Sequence, residues 1–339
     1  QVAYVMRDTR QNIIAMPVPG LTGFNTQNQN VGSIVGRSVE VTLQAQLLKR
    51  GRFAWDANLV LDRPRNRITA FRRSCFADGI LNRCDGTRLN TMWGNAFVRR
   101  ADQLPAVHAN SADAFQVNDD GYLVPVGVGN SWTEGVSKNL WPTTVTIDGV
   151  NYAWGRPILQ RNADGTAVYT QIGDGNPDLN FGLQNTFRFG RFRVYGLING
   201  QLGGHLYNAA RQAMYIDGSH ANVDQSGKPV EQRKPVAYYS AGNGLSRGIT
   251  TVFVDEFVER GTYAKLGELS IAYQLPPTWR VLQRVGADRV SLELNGRNLL
   301  VWTRYTGNDP EARSGANTRV DNMSYPFFRT ITSAVTVAF

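Results

Sequence analysis

The residues of this 339-residue sequence best equipped for chemistry are three histidines, two cysteines and a set of carboxylates on alternating positions. His108, His205 and His220 stand far apart, and none has a serine or cysteine pattern beside it. No nucleophile–base pair is readable from them. Glu40, Asp56, Glu268 and Glu293 each sit in a stretch where apolar and polar residues alternate. Two carboxylates do acid–base work only when they converge on a substrate. On alternating strands they read as members of a polar sheet face. Asp-Gly steps recur, at Asp78-Gly79, Asp120-Gly121, Asp148-Gly149 and Asp164-Gly165 among others. Such steps are turn formers first. Some calcium loops use them, but the EF-hand spacing is absent, so structural calcium has no support in the spacing. With two cysteines and scattered histidines no metal centre is read, no cofactor is expected and no residue is assigned as catalytic. In CFADGILNRC, Cys75 and Cys84 flank a glycine-bearing turn. An oxidising compartment would join them; the alternative is two free thiols.

Lys+Arg is 36 against Asp+Glu 27, a formal charge of +9. The excess is scattered: Arg63, Arg65 and Arg67, then Arg72 and Arg73, then Arg188, Arg191 and Arg193, mainly at strand ends and turns. Neither zinc-finger spacing nor a basic helical face accompanies it, so a nucleic-acid partner is not expected.

The elements that must position these groups are strands. In RSVEVTLQAQLLKRGRFAWDANLVLDRPRN, Val39, Val41, Leu43 and Leu47 alternate with Glu40, Thr42, Gln44 and Gln46. After a polar turn at Gly51, Phe53, Trp55, Ala57, Leu59 and Leu61 alternate with Asp56, Asn58 and Asp62. Side chains of a strand point alternately to two faces, so each half has one apolar and one polar side. Both halves exceed the usual five or six residues of a soluble strand and match a tilted membrane-spanning one. LNFGLQNTFRFGRFRVYGLING, turning at Gly190, predicts a second hairpin. GTYAKLGELSIAYQLP groups Tyr263, Leu269, Ile271 and Tyr273 on one face, and DRVSLELNGRNLLVW and RTITSAVTVAF close the series. Trp55, Tyr195, Tyr263, Tyr273, Trp302 and Phe339 stand near strand ends, where an amphipathic ring suits a headgroup boundary. Long polar connections are expected at about 74–152 and 216–260, with short helices at SADAF and YNAARQAMY. Short turns on one side and long loops on the other are the asymmetry of an outer-membrane barrel. No stretch is apolar enough for a membrane helix, which excludes nothing about barrel strands. The opening QVAYVMRDTR reads as the end of a strand without a signal peptide, the beginning of a portion of something longer.

Several phrases resemble the C-terminal part of SusC/RagA-type TonB-dependent outer-membrane transporters. They are NVGSIVGRSVEVTLQAQLLKRGRFAWDANLVLDRPRNRIT, WGRPILQRNADG, IGDGNPDLNFGLQNTFRF, FVERGTYAKLGELSIAYQLP, VSLELNGRNLLVWTRYTGNDPE and the terminal RTITSAVTVAF, in family order from about residue 30 to the end. Each is modest alone; their order makes the likeness specific. The resemblance implies an all-β fold, the C-terminal portion of a 22-stranded antiparallel transmembrane barrel with long extracellular loops. With roughly nine or ten strands expected here, a plug, a TonB box and the first strands would lie outside this chain. It further implies TonB-driven import of a bulky nutrient such as a glycan or peptide. The implied partners are outer-membrane lipid, the N-terminal plug and remaining strands, TonB, a SusD-like surface lipoprotein and the outer-membrane assembly machinery, which would read Phe339. Substrate selection would fall to the loops. There Trp93, Tyr122, Trp132, Trp141 and Tyr152 could stack on sugars or pack on peptide side chains, and Arg99 and Arg100 could pair with anions. The competing reading for each is packing within the loops. Rival readings are a soluble β-sandwich or β-helix binding protein, a β-rich glycoside hydrolase, which lacks an identifiable carboxylate pair, and a barrel that acts as a non-transporting surface receptor or scaffold.

Overall fold

A computed structural model describes residues 1–71, 74–240, 242–249, 251–284, 286–311 and 319–339. Arg72 and Arg73 lie outside them. Eight strands form one continuous antiparallel sheet in chain order: β1 (Val2–Thr9), β2 (Ser33–Arg50), β3 (Phe53–Thr69), β4 (Leu179–Phe189), β5 (Phe192–Leu202), β6 (Tyr263–Gln274), β7 (Arg289–Thr303) and β8 (Thr330–Ala338). The sheet is an up-and-down wall, with eight strands where nine or ten were expected. β2 and β3 turn at Gly51 and β4 and β5 at Gly190, both at φ 58°, the left-handed conformation that glycine adopts without a Cβ penalty. Residues 275–288 join β6 to β7 at the same end. Every longer connection leaves the opposite end. Among the described residues the outer edges of β1 and β8 pair with nothing.

The register confirms the alternation. Leu43, Leu59, Leu183 and Ile198 form one row across β2 to β5 on the apolar face. Gln44, Asn58 and Gln184 form the neighbouring row on the polar face. Val39, Val41, Ile271, Leu292 and Val335 belong to the first face, and Glu40, Asp56, Glu268 and Glu293 to the second. Phe53, Phe189, Phe192 and Tyr273 line up at the short-turn end of the apolar face. Phe192 and Tyr273 lie 4.4 Å apart between ring centroids, and Trp55 stacks on Phe187 at 5.5 Å. Trp302 occupies the same face at the other end. About ten residues of β7 separate Leu292 from Trp302, or roughly 33 Å of strand, which at ~40° tilt spans roughly the 25 Å apolar band of a transmembrane barrel.

Two rings depart from the expected grouping. Tyr195 pairs with Thr186 and Ser270, on the polar face. Tyr263 pairs with Gln201 and is buried, because the register shifts at Gly267 and inverts the parity of β6 beyond it. A second shift places Leu48, rather than Leu47, opposite Trp55.

The long connections are folded. The described parts of 70–178 and 203–262 pack together beyond the loop end of the wall around one shared core, a wider span than the expected 74–152 and 216–260. They contain a four-stranded sheet (Phe76–Asp78, Leu81–Arg83, Thr91–Asn95, Tyr169–Asp174) and two small hairpins. His205–Asn208 pairs with Val258–Arg260 and, from the β7–β8 connection, with Val320–Asp321. Helix α1 spans Trp132–Ser137 and α2 spans Ala209–Ile216. The second expected helix is therefore present, capped by the Asn208 side chain, which accepts from Arg211 N at 2.8 Å. SADAF instead gives one 3-10 turn at Ala112–Ala114 running into a strand.

Candidate functional site

On the wall, the polar face is a ladder of cross-strand hydrogen bonds. Asp56 accepts from Gln46 at 3.2 Å and from Arg188 at 2.5 Å, Asp62 accepts from Asn180 at 3.1 Å and from Ser38, and Asn58 donates to Gln184 at 3.2 Å. Farther round, Ser270 donates to Glu293 and Asn295 to Glu268, each at 2.7 Å. The carboxylates act as acceptors that tie neighbouring strands together.

In the loop module the predicted aromatics divide. Trp132 and Trp141 are buried with Trp154 in a three-ring cluster: Trp132 stacks on Trp154 at 5.5 Å, and Trp141 meets both edge-on at 5.4 and 5.3 Å. Gly135, on α1, leaves the space that the Trp154 ring fills. Trp141 also abuts Tyr238 at 5.8 Å. Tyr122 is 1% exposed and packs against Phe97. These three offer no open face for stacking on a ligand. Burial of large rings in a module this small supplies its core, which is why they are inside. Trp93 and Tyr152 are half-buried: Trp93 lies 5.8 Å from Tyr169, and the Tyr152 hydroxyl lies 2.8 Å from His108 Nε2. The other nitrogen of buried His108 lies 2.8 Å from Asp148. Arg100 points outward with Asp102 at 3.0 Å.

Arg99 belongs to a half-buried charge network. It stands 4.5 Å over the Tyr122 ring, 3.4 Å from Asp255 and 3.8 Å from Glu256. Glu256 also accepts from the Tyr122 hydroxyl and from Arg211, and Arg211 reaches Glu259 at 3.1 Å. Burial holds the Glu256 carboxyl above its ordinary range despite Arg211, Tyr122 and Arg99. Burial likewise raises Asp255. The Arg211 guanidinium, whose charge burial opposes, is held above its usual value by Glu256, Tyr215 and Glu259. Next to this network opens a polar cleft of about 350 Å³, bordered by Asp119, Asp120, Lys234, Arg211 and Glu256. Buried Lys234 reaches Asp119 at 2.7 Å and Asp120 at 2.8 Å, and Tyr238 donates to Asp120 at 2.7 Å. The arrangement can hold polar groups by hydrogen bonds and charge. Among the described residues no group of three or more His, Cys, Asp or Glu is placed to hold a metal ion.

The sequence reading missed Lys234 as a partner of Asp119 and Asp120, because the NDDG stretch carries only turn signals and the lysine is more than a hundred residues away. It also missed Lys265, buried on the polar side of the wall between Asp309 at 2.8 Å and Glu311 at 2.8 Å. Cys75 and Cys84 are joined in a disulfide that brackets the Phe76–Asp78/Leu81–Arg83 hairpin. Phe339 follows β8 and is 81% exposed.

No protein-family profile matches the chain. It is 24% identical over 349 residues to TonB-dependent receptor P3 of Formosa agariphila, covering 99% of this chain and 32% of that protein. It is also 24% identical over 354 residues to TonB-dependent receptor P26 of the same organism, covering 100% of this chain and 32% of the relative. Thus the chain spans about a third of the length of the curated relatives it matches. Among solved structures, that of the RagAB peptide transporter superposes with a TM-score of 0.63 at 19% identity, covering 100% of this chain and 33% of the other. The RagAB peptide importer in the 'closed-closed' state gives 0.64 at 19% identity, over 100% of this chain and 33% of that one. The chain is thus similar along its whole length to TonB-dependent receptors, and its wall has the fold of the RagAB structures.

Proposed function

We propose that this chain supplies eight wall strands and the folded outer module of an outer-membrane importer that draws TonB-coupled energy to take up a bulky nutrient, a glycan or a peptide. The observation that carries the reading is the asymmetry of the wall: tight turns at Gly51 and Gly190 at one end, a packed loop module at the other. In lipid every backbone N–H and C=O needs a partner, so the open edges of β1 and β8 call for further strands to close the barrel. The polar ladder then faces a lumen and its plug, and the apolar rows face lipid. The wall performs no reaction; movement of the plug by TonB opens the path. The loop module is the part that meets cargo and a SusD-like lipoprotein at the mouth, with half-buried Trp93 and Tyr152 and outward Arg100 as its contact residues. Phe339 ends the strand that the outer-membrane assembly machinery engages.

The test is uptake of labelled oligosaccharide and peptide pools by cells carrying the receptor, lacking it, or lacking TonB, with outer-membrane fractionation alongside. Uptake should vanish in both deletions while the receptor still fractionates with the outer membrane when TonB is absent. Undiminished uptake without TonB, or recovery of the protein outside the outer membrane, would sink the reading.

A further inference from the structure

A second cavity in the loop module, about 630 Å³, lies away from the Glu256 network. Three arginines border it: Arg156, Arg161 and Arg247. The charge is not balanced locally. Arg161 donates to the Gly165 carbonyl at 2.5 Å, a neutral acceptor. Among the described residues Arg156 Nε, which is buried, has no hydrogen-bond partner. Among the described residues Arg247 has no carboxylate partner, and burial together with the Arg161 charge works against its ionised form. The one acid on the rim, Asp164, is occupied by Thr166, whose N–H and hydroxyl donate to it at 2.9 and 2.6 Å. Arg247 sits on a backbone at φ 60°, with Gly248 at φ 71° beside it, so the loop holds this side chain at the cavity through a conformation rare for a residue with a Cβ. Arg156 and Arg247 are half-buried, and leaving the Arg156 Nε donor buried without an acceptor is costly; an oxyanion that accepts from it and from the Arg247 fork removes that cost.

The rest of the lining sets what the anion is attached to. Val107, Val150, Pro157 and Leu159 make the walls aliphatic. Tyr152 is the one aromatic ring there, and its hydroxyl is already engaged with His108. Sugar rings are typically held against flat aromatic faces, which this cavity barely offers. We propose that the cavity is a binding site for a carboxylate carried on an aliphatic body, with Arg247 and Arg156 as the carboxylate donors and Val107, Val150 and Pro157 as the apolar seat. Binding here is measured without transport, so it stands or falls separately from the import reading.

The experiment is titration calorimetry on the detergent-purified receptor with N-acetyl-leucine, N-acetyl-leucinamide, glucuronate and inorganic sulfate. N-acetyl-leucine should bind at least tenfold more tightly than each of the others. Arg247→Gln and Arg156→Gln should each weaken it at least tenfold, while their thermal midpoints stay equal to the parent's or rise, because a partnerless cation has been removed. Equal binding of the amide would overturn the anion half of the proposal, and equal binding of glucuronate the aliphatic half. Unchanged affinity in both variants, or midpoints that fall in both, would show that the arginines serve the fold and would overturn the site.

Discussion

Placing a charge at Leu59 and then one residue earlier at Asn58 separates the two faces of the wall. Leu59 lies in the aliphatic row with Leu43, Leu183 and Ile198. Four residues separate it from Trp55 in the belt at the turn end, roughly 13 Å of strand, or ~10 Å of depth at a tilt near 40°. That puts Leu59 near the middle of a band about 25 Å tall, where an arginine facing lipid costs about 2–4 kcal/mol. Leu59→Arg should therefore shift the folding equilibrium in vesicles by roughly 30- to 700-fold. Asn58 is its chain neighbour but faces the polar side, where it donates to Gln184 at 3.2 Å. Asn58→Arg loses that one bond, about 1 kcal/mol, and places its charge among lumenal groups. Denaturant unfolding of the complete receptor in phospholipid vesicles gives both values, with heat-modifiability on gels as the check for a closed barrel. Equal destabilisation by the two substitutions, or a neutral Leu59→Arg, would refute the face assignment.

Reduction of Cys75–Cys84, or Cys84→Ser, should loosen the hairpin it brackets by at most about 2.7 kcal/mol on loop-closure entropy for some ten residues; intact mass with and without reductant reads the bond, and two free thiols in the untreated protein would contradict it. Gly135→Ala drives a methyl into the Trp154 ring and should cost about 1–3 kcal/mol, seen as a lower thermal midpoint and altered near-ultraviolet dichroism from the tryptophans. Glu256 is raised by burial, so its contribution to stability is fully present below its ordinary pKa and is lost as pH climbs through the raised value. Protease resistance of the loop module should accordingly increase as pH falls from 7 toward 5, and Glu256→Gln should flatten that response; an unchanged slope would show that another group governs it. Deleting Phe339 should lower the amount of assembled barrel in the outer membrane without altering ligand affinity per barrel, and fractionation with binding assays distinguishes the two.

Strand existence and face were legible in the chain because alternation is local: each residue of RSVEVTLQAQ declares its own side, and the register keeps that pattern up to the shift between Gln46 and Leu48. Parity was legible only up to the first irregularity. Gly267 carries no sign that it shifts the register against both neighbours, and past it Tyr263 and Lys265 change sides. Tyr195 went astray for a different reason. Its position between Val194 and Gly196 gives weak alternation, so only pairing with Ser270 fixes its face.

The wall, its turns at Gly51 and Gly190 and the polar face that carries Glu40, Asp56, Glu268 and Glu293 were readable along the chain. These follow from a period of two and from turn residues acting on near neighbours. The close spacing of Cys75 and Cys84 made their bond readable as well. Tertiary structure alone decided which loop residues are available. Trp132, Trp141 and Tyr122 share their type with half-buried Trp93 and Tyr152, but a folded loop module needs rings in its interior, and three-dimensional packing chose which. It also decided the charges. Lys234 finds Asp119 and Asp120, and Arg211 finds Glu256, whereas Arg247 finds no acid among the described residues. A side chain's partners are set by where distant segments meet, and no local pattern in the chain records that.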